Sequence, residues 1–303
     1  MILRWVVPLA VLLLAGVGEA QSPSPLPSFG LQRLHLEPSG LGSLVVGTGR
    51  TLAPGVVRVS LQAHYEHLPL NFLRTWDPGV NAIGLVENKF SGHVTAAVGV
   101  LPWLQLGAHL TYIIGQRGQR FMDLAPPEGG GLDEPWLVVR AAPWRMSAGA
   151  PVNVAVELAA ALPVGRAELL GRDRYALAPR LQAGFVGEGF QVGGEVGALL
   201  RPRYDLSPLT HREHDVMGSE LRLGATVTSR GQNDTATRPE VSVLLNVPLQ
   251  GGRTSAEVLI GVRKHLGPGV ALYFLGGPGL GSAVDMPTLR LLAGAAFATG
   301  EAD

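Results

Sequence analysis

The sequence predicts an all-β protein, an antiparallel transmembrane β-barrel of about twelve strands. Three observations predict it. Apolar and polar residues alternate with a period of two in one segment after another, and the connections between these segments are alternately short and long. Charged residues make up only 16% of the 303 residues, although 46% are hydrophobic. Because a period of two places alternate side chains on opposite faces of a strand, the low charge indicates that one face contacts lipid.

The alternation is clearest from Val57 to Tyr65, where the odd positions are Val, Val, Leu, Ala and Tyr and the even positions are polar. Further segments show the same pattern and begin near Phe90, Leu104, Val152, Tyr175, Phe190, Leu221, Val241, Ala256, Val270 and Leu289. The stretch from Pro135 to Met146 is apolar on both faces, so it predicts a strand whose register is ambiguous. With that stretch included, the sequence predicts twelve strands.

The lengths of the connections indicate an orientation. Very short links occur at Leu101-Pro102, at 186–189 and at 266–268, whereas the links after strands one, three, five and seven are long: 68–87, 116–134, 163–173 and 202–217. Outer-membrane barrels have an even number of strands, short periplasmic turns and long external loops. The short links are therefore predicted to be periplasmic. Two links fit less well, because 229–237 is long for a turn and the link after strand nine is short for a loop.

The N-terminus has the features of a cleaved secretory signal peptide. An apolar stretch of 13 residues follows Arg4 and ends before Gly18-Glu19-Ala20, which places small residues at the −3 and −1 positions of a cleavage site before Gln21. The stretch is too short to span a bilayer as a helix. We divide the chain into a signal peptide (1–20), a periplasmic or plug segment (21–54), the barrel (55–298) and a short tail (299–303). Export of a barrel predicts the outer membrane of a Gram-negative bacterium.

Composition excludes several classes of protein. The chain has 24 basic and 24 acidic residues, which argues against a nucleic-acid partner, and it has no cysteine, which excludes disulfides and thiolate metal sites. A soluble β-sandwich would alternate too, but its outer face would be rich in charge. The expected partners are therefore outer-membrane lipid and envelope proteins bound through the loops or the N-terminal segment.

The alternation assigns residues to the two faces of the wall. The residues expected to face the lumen are Arg58, Glu66, Lys89, His93, His109, Glu157, Arg180, Glu195, Arg201, Glu220, Arg222, Glu240, Glu257, Arg263 and Arg290. Those expected to form aromatic girdles at the two membrane interfaces are Tyr65, Phe90, Tyr112, Tyr175, Phe185, Phe190 and Phe297. The lumen-facing set contains both signs of charge, so that neighbouring strands are able to pair them.

A barrel of eight strands is filled by side chains and one of sixteen leaves a channel, so twelve strands leave room for a narrow path. We therefore predict a porin-like or transport channel for small solutes, not an enzyme. The alternative is a non-conducting barrel that scaffolds an envelope complex. A remote alternative is a membrane-embedded hydrolase, because His64, His93 and His109 lie near Ser60 and Ser91 on the polar face.

No catalytic residue, cofactor or metal is assigned from the sequence. The stretch 211–215 contains two histidines and two carboxylates, but such a loop is more often a solvated turn than a metal site. The stretch 277–281 resembles a glycine fingerprint, but its proline and the lack of a following helix predict a loop.

The end of the chain carries a resemblance to a known family. The glycine-rich stretch Gly276 to Leu280, followed by Pro287 to Ala298, resembles the end of the barrel in OmpA-like outer-membrane proteins of myxobacteria and their relatives. Leu36 to Tyr65 and Val152 to Gly165 resemble the same proteins more loosely. The resemblance implies a transporter-type or structural barrel with no catalytic residues. Many such relatives continue into a peptidoglycan-binding domain, which this sequence lacks, so we expect no anchoring to the cell wall.

Overall fold

A computed structural model describes residues 26, 29–71, 84–121, 124–210, 213–230, 237–267 and 269–300 of the chain. The predicted signal peptide, His211 of the histidine-containing loop and the last residues of the tail lie outside these ranges. Within them, no helix is both long enough and apolar enough to cross a membrane.

Long antiparallel strands form the wall of a closed twelve-stranded barrel, which confirms the fold class predicted from the sequence. Their bounds are β1 Val57–Asn71, β2 Gly84–Leu101, β3 Leu104–Arg117, β4 Trp136–Trp144, β5 Asn153–Ala161, β6 Leu177–Val186, β7 Phe190–Leu199, β8 Glu220–Ser229, β9 Thr237–Pro248, β10 Ser255–Gly267, β11 Val270–Gly281 and β12 Leu289–Ala298. Each strand pairs with its neighbours in sequence. The sheet closes where β12 pairs with β1, from Arg58–Ala298 to His67–Leu289.

The connections give the barrel two different ends. The end where β1 begins and β12 finishes carries short turns such as 102–103 and 187–189, and we call it the turn end. The opposite end, the loop end, carries the long links 118–135, 162–176 and 200–219. These links contain small elements of their own: the strand Gly129–Leu132, which pairs with β3, the paired strands Tyr204–Asp205 and Val216–Met217, and the one-turn helix Ser207–Thr210.

The two faces of the wall differ as a lipid-embedded barrel requires. On β1 the side chain of Leu61 is 61% exposed on the outer face, whereas that of the next residue, Gln62, is 7% exposed. The ambiguous register of β4 is settled in the same way, because Leu137 and Val139 are exposed and Arg140 is buried. Apolar side chains thus cover the outside of the wall, where hydrocarbon offers no partner for polar groups.

Several strand limits differ from the prediction, and β1 and β2 extend into the predicted link 68–87 as far as Asn71 and Gly84. The glycine-rich stretch 277–281 was predicted as a loop, but β11 continues through it to Gly281, and Pro278 pairs with Leu289. The reason is close packing against β10, since a Cβ at Gly277 would lie 1.7 Å from the carbonyl oxygen of Val258. Glycine therefore serves here as a thin extended residue rather than a turn former. In addition, β6 begins at Leu177, so that Tyr175 precedes the strand.

Residues 29–56, which we call the lumen segment, run through the interior of the barrel. Their apolar side chains at Leu34, Leu36, Leu44, Val45 and Val46 form a buried cluster with wall residues that include Leu259, Leu275 and Leu292. The lumen segment is not a strand of the sheet, because its sheet-like pairing within the described residues is limited to isolated bridges at Gly30 and Pro54. The interior therefore has a core built from the wall and the preceding chain.

Candidate functional site in the barrel lumen

The lumen segment is fixed near the loop end by ion pairs of Arg33. Its guanidinium group contacts the carboxylates of Glu220 on β8 and of Asp285 in the β11–β12 link, the latter at 2.5 Å from Nη1 to Oδ1. Arg201 also contacts Asp285, at 3.0 Å, and donates from Nη1 to the carbonyl oxygen of Gly30 at 2.9 Å. Two arginines and two carboxylates thus connect the first part of the segment to β8, to the link 200–219 and to the β11–β12 link.

A second cluster of charges lies deeper in the lumen. Arg140 on β4 contacts Glu37 of the lumen segment and Glu157 on β5, and its Nε donates to Glu157 Oε2 at 2.8 Å. Glu157 also contacts Arg180 on β6, which in turn lies 3.5 Å from Glu195. All five groups are largely removed from water. Each charge is therefore balanced by its ion-pair partners and not by solvent.

Near the turn end, polar side chains of the wall form hydrogen bonds with the lumen segment, mostly with its backbone. Glu240 on β9 accepts hydrogen bonds from the Ser43 hydroxyl at 2.6 Å and from the Leu44 amide at 3.1 Å. Glu195 accepts from the Gly47 amide at 2.7 Å, and Arg263 donates to the carbonyl oxygen of Gly40 at 2.6 Å. The segment is therefore bound by side chains along its whole length.

Three histidines form a hydrogen-bonded row on the inner face of β1, β2 and β3. His64 Nδ1 lies 2.8 Å from His93 Nε2, and His93 Nδ1 lies 2.9 Å from both His109 Nε2 and Thr111 Oγ1. Arg290 Nη1 lies 2.9 Å from His64 Nε2. Since a guanidinium group only donates, His64 Nε2 accepts and His64 Nδ1 carries the proton, which it donates to His93.

The direction of the hydrogen bonds in the histidine row bears on the alternative that the protein is a membrane-embedded hydrolase. Because His93 accepts at Nε2, its own proton is on Nδ1, which donates to Thr111 or His109. A general base must instead accept the proton of the nucleophile's hydroxyl group. His93 Nδ1 is therefore a hydrogen-bond donor, to Thr111 or to His109, and does not act as a base for the Thr111 hydroxyl group.

The lumen-facing residues predicted from the sequence lie inside the barrel. The buried ones are Arg58, Glu66, Lys89, His93, His109, Glu157, Arg180, Arg201, Glu220, Glu240, Glu257, Arg263 and Arg290. Glu195 and Arg222 are half-buried. The structure brings them into contact in groups, such as Arg290 with Glu66 and Glu257 at 2.9 and 2.5 Å. Arg58 lies apart from these groups and donates from Nη1 to the carbonyl oxygen of Pro38 at 3.0 Å.

The residues assigned to the aromatic girdles lie on the outer surface. Phe90, Tyr112, Tyr175, Phe185, Phe190 and Phe297 are exposed, and Tyr65 is half-buried. Phe185 and Phe190 flank the turn 187–189 with their ring centroids 6.2 Å apart. Their role at the membrane interface remains a prediction.

Four residues of the site were missed by sequence reasoning: Arg33, Glu37, Arg140 and Asp285. Arg140 lies in a strand that is apolar on both faces, so the alternation gave no inner side. Arg33, Glu37 and Asp285 lie outside the strands, where there is no period to read. The available signal was the presence of charge in otherwise apolar stretches, since a charge placed there requires a partner.

Buried carboxyl groups cover the loop end of the lumen segment. Asp133, Glu134 and Asp173 lie together, and the Asp173 amide donates to Glu134 Oε1 at 2.6 Å. Burial, followed by repulsion from Asp173, raises the pKa of Glu134 to about 8. Burial likewise raises the pKa of Asp133 and of Asp173. This end of the barrel therefore favours protonated carboxyl groups.

The space left between the lumen segment and the wall is small. One cavity of about 30 Å³ lies beside His35 and is lined by four arginines, among them Arg180 and Arg222. A larger cavity of about 510 Å³ opens at the turn end, where the segment passes Arg145.

A scan of protein-family models and a search of curated proteins each gave no match. Among solved structures, the chain is similar to the COG4313 outer membrane channel from Pseudomonas putida F1, with a TM-score of 0.56 and 11% identity over 82% of this chain and 97% of that one. It is also similar to the NanC porin, with a TM-score of 0.51 and 9% identity over 79% of this chain and 98% of that one. At such identities the similarity shows a shared fold, that of an outer-membrane β-barrel.

Proposed function

We propose that this protein is an outer-membrane channel for small solutes and that its lumen segment controls passage. The observation that carries the proposal is the way in which the segment is held. It meets a polar, charged wall through side-chain contacts such as Arg33 with Glu220 and Glu37 with Arg140. A polar inner face is typical of barrels that conduct.

The attachment allows the segment to move without opening the wall. Backbone pairing in a sheet is lost only when a strand is peeled away, whereas residues 33–47 contact the wall through side-chain hydrogen bonds, ion pairs and the buried apolar cluster. The hydrogen-bonding partners Glu220, Glu240 and Glu195 belong to strands that keep their own neighbours on both sides. A shift of the segment would therefore leave the wall intact and expose a lumen that is lined by these charged groups and by the apolar residues of the cluster.

The outer surface supports a location in the outer membrane. Exposed Leu61, Val156 and Ile260 lie on a barrel whose other face is polar, so that the chain needs lipid as its partner. With short turns at the periplasmic side, the lumen segment enters β1 from the periplasm. Of the two similar structures described above, one is an outer membrane channel and the other is a porin, which supports the same role here.

A second candidate function is a non-conducting barrel that scaffolds an envelope complex. The observation that favours it is the small free volume within the barrel, since the cavity beside His35 measures only about 30 Å³. Under this alternative the ion pairs serve to close the lumen permanently.

Planar-bilayer conductance of the refolded protein separates the two candidates. The chain has no cysteine, and Ser43 of the segment lies with its hydroxyl oxygen 3.5 Å from that of Ser242 on β9. A double variant, S43C with S242C, therefore places two thiols where a disulfide would tie the segment to the wall. Each single variant is the matched control, and heat-modifiable migration on a gel shows that each protein is folded.

For a channel controlled by the segment, we expect small conductance steps in the wild type, larger ones in a variant lacking residues 29–50, and a loss of opening in the oxidised double variant that reductant reverses. Absence of conductance in both the wild type and the deletion variant would favour the scaffold. Equal conductance of the oxidised and reduced double variant would show that the segment does not control passage.

A further inference from the structure

A small cavity near the turn end is lined almost entirely by hydrogen-bond donors. It lies between the lumen segment and strands β7 to β10 and measures about 20 Å³. Four arginines line it, Arg50, Arg230, Arg238 and Arg263, whereas Glu240 is its single acidic residue among those that the structure describes. A closed cavity of this size would hold one water-sized group, but this one opens past the exposed Arg230, so that an anion is able to place one edge in it and to extend outward.

Two of these arginines face each other directly. Arg238 on β9 and Arg263 on β10 are cross-strand partners in the sheet register, and both lie on the inner face. Like charges placed opposite one another destabilise an antiparallel pair. Inside a barrel the effect is larger than at a surface, because less solvent screens the two charges.

The nearby carboxylate of Glu240 does not neutralise Arg263 closely. Its Oε1 accepts hydrogen bonds from Ser43, Leu44 and Ser242, and its Oε2 lies 3.9 Å from Arg263 Nη2. Glu240 thus serves mainly to hold the lumen segment.

Donor atoms in the cavity lack acceptors. Arg263, which is 7% exposed, uses Nη1 for the carbonyl oxygen of Gly40, while its Nε and Nη2 have no hydrogen-bond acceptor among the residues that the structure describes. Gln191 is 4% exposed, and its Oε1 accepts from Arg50 at 3.4 Å. Its Nε2 then points elsewhere and likewise finds no acceptor in the described part of the chain. Buried donors of this kind are costly unless a ligand satisfies them.

We propose that this cavity binds a small oxyanion, a carboxylate group or inorganic phosphate, between Arg263 and Gln191. The planar guanidinium group offers Nε and Nη2 side by side, which is the geometry that binds two oxygens of one anion. The cavity admits the charged end of a solute and opens past the exposed Arg230. The inference concerns binding at equilibrium and does not depend on whether the barrel conducts.

The test is isothermal titration calorimetry of the refolded full-length protein in detergent, with sodium phosphate in one series and sodium acetate in another, both at constant ionic strength. We expect one phosphate per barrel in the wild type. Arg263→Gln should weaken binding at least about tenfold, because hydrogen bonds to a charged group are lost, and Arg263→Lys should weaken it less. Arg145→Gln, which removes a charge at the same end outside this cavity, is the matched control and should bind as the wild type does.

A second variant keeps the test decisive if Arg263→Gln folds poorly. Gln191→Glu is nearly isosteric and supplies a carboxylate within the cavity, so it should abolish phosphate binding while the protein stays folded. Two results would overturn the proposal: no saturable binding in the wild type, or unchanged binding after Arg263→Gln or Gln191→Glu.

Discussion

Arg290 and His64 are joined by a contact of 2.9 Å between Nη1 and Nε2, and this contact gives the histidine row its direction. Arg290 is one of the most deeply buried side chains of the protein and also contacts Glu66 and Glu257. Its charge is fixed, since a guanidinium group does not lose its proton in proteins. The row of neutral imidazoles therefore begins at a donor that cannot become an acceptor.

The first prediction is that His64 and His93 are both Nδ1–H tautomers. Each accepts at Nε2, from Arg290 and His64 respectively, and the proton must then be on the other nitrogen. Long-range ¹H–¹⁵N correlation spectra of the refolded, ¹⁵N-histidine-labelled protein would show this, with His64→Gln and His93→Gln to assign the signals. An Nε2–H tautomer at His64 would contradict the assignment.

The second prediction concerns the attachment of the lumen segment at Arg140. Arg140→Met leaves Glu37 and Glu157 buried without their shared partner, and we expect a loss of about 3–5 kcal/mol in the free energy of unfolding. Adding Glu37→Gln removes the carboxylate that has lost its arginine partner, whereas Glu157 keeps Arg180, so the double variant should recover part of that loss. The measurement is urea unfolding in lipid vesicles followed by tryptophan fluorescence.

A double-mutant cycle isolates the pair in that experiment. If Glu37 and Arg140 interact as the structure places them, the effects of the two substitutions are not additive. Arg203→Met serves as the control, because Arg203 is exposed at the loop end and its ion pair with Asp205 is also exposed, so it should change stability by less than about 1 kcal/mol. Additive effects of Glu37→Gln and Arg140→Met would show that the lumen segment is not fixed at this point.

The wall of this barrel is largely predictable from its sequence, because each strand has to place apolar side chains toward lipid and polar ones inward. That requirement explains why Gln62 and Leu61 were assigned to the correct faces. The same requirement does not predict the register of β4, where small and apolar residues occur on both faces. There the packing of Trp136 against His35, with ring centroids 4.3 Å apart, decides the register.

The attachment of the lumen segment was not predictable in the same way. Arg33 and Glu37 lie in an aperiodic stretch, and their partners Asp285 and Arg140 are 252 and 103 positions away in the chain. Such pairs follow from the closure of the barrel and not from any local pattern. In β11, likewise, the glycines at 277 and 279 were read as a loop because local rules favour turns there, whereas close contact with neighbouring backbone selects them.

The third prediction concerns the lipid-facing surface. Leu61 lies midway along β1 with 61% of its side chain exposed, so Leu61→Arg would place a charge in hydrocarbon. We expect a loss of about 2–4 kcal/mol in folding stability, the cost measured for arginine near the bilayer midplane. The measurement is reversible urea unfolding in vesicles of phosphatidylcholine. Leu249→Arg is the control, because Leu249 lies in a link beyond the end of β9. Equal effects of the two substitutions would contradict the membrane-facing assignment.

The fourth prediction is a pH dependence at the loop end. The pKa of Glu134 is raised to about 8, mainly by burial, from an ordinary value of 4.5 in the unfolded chain. A raised pKa means that the folded state binds the proton more tightly, so this contribution to stability is complete below about pH 4.5 and is lost as the pH rises through 8. The raised pKa values of Asp133 and Asp173 act in the same direction.

The expected consequence is local opening of the loop end at alkaline pH. The Asp173 amide, bonded to Glu134, and the Gly30 carbonyl, bonded to Arg201, should become more accessible as the carboxylates ionise. Hydrogen exchange read by mass spectrometry, corrected for the intrinsic pH dependence, should show protection of the peptide around residue 173 falling between pH 5 and pH 9. Glu134→Gln should remove most of that change, whereas Glu168→Gln, at a half-buried site with a lowered pKa in the link 162–176, should leave it intact. Protection that is constant over this range in the wild type would show that Glu134 is already ionised at neutral pH.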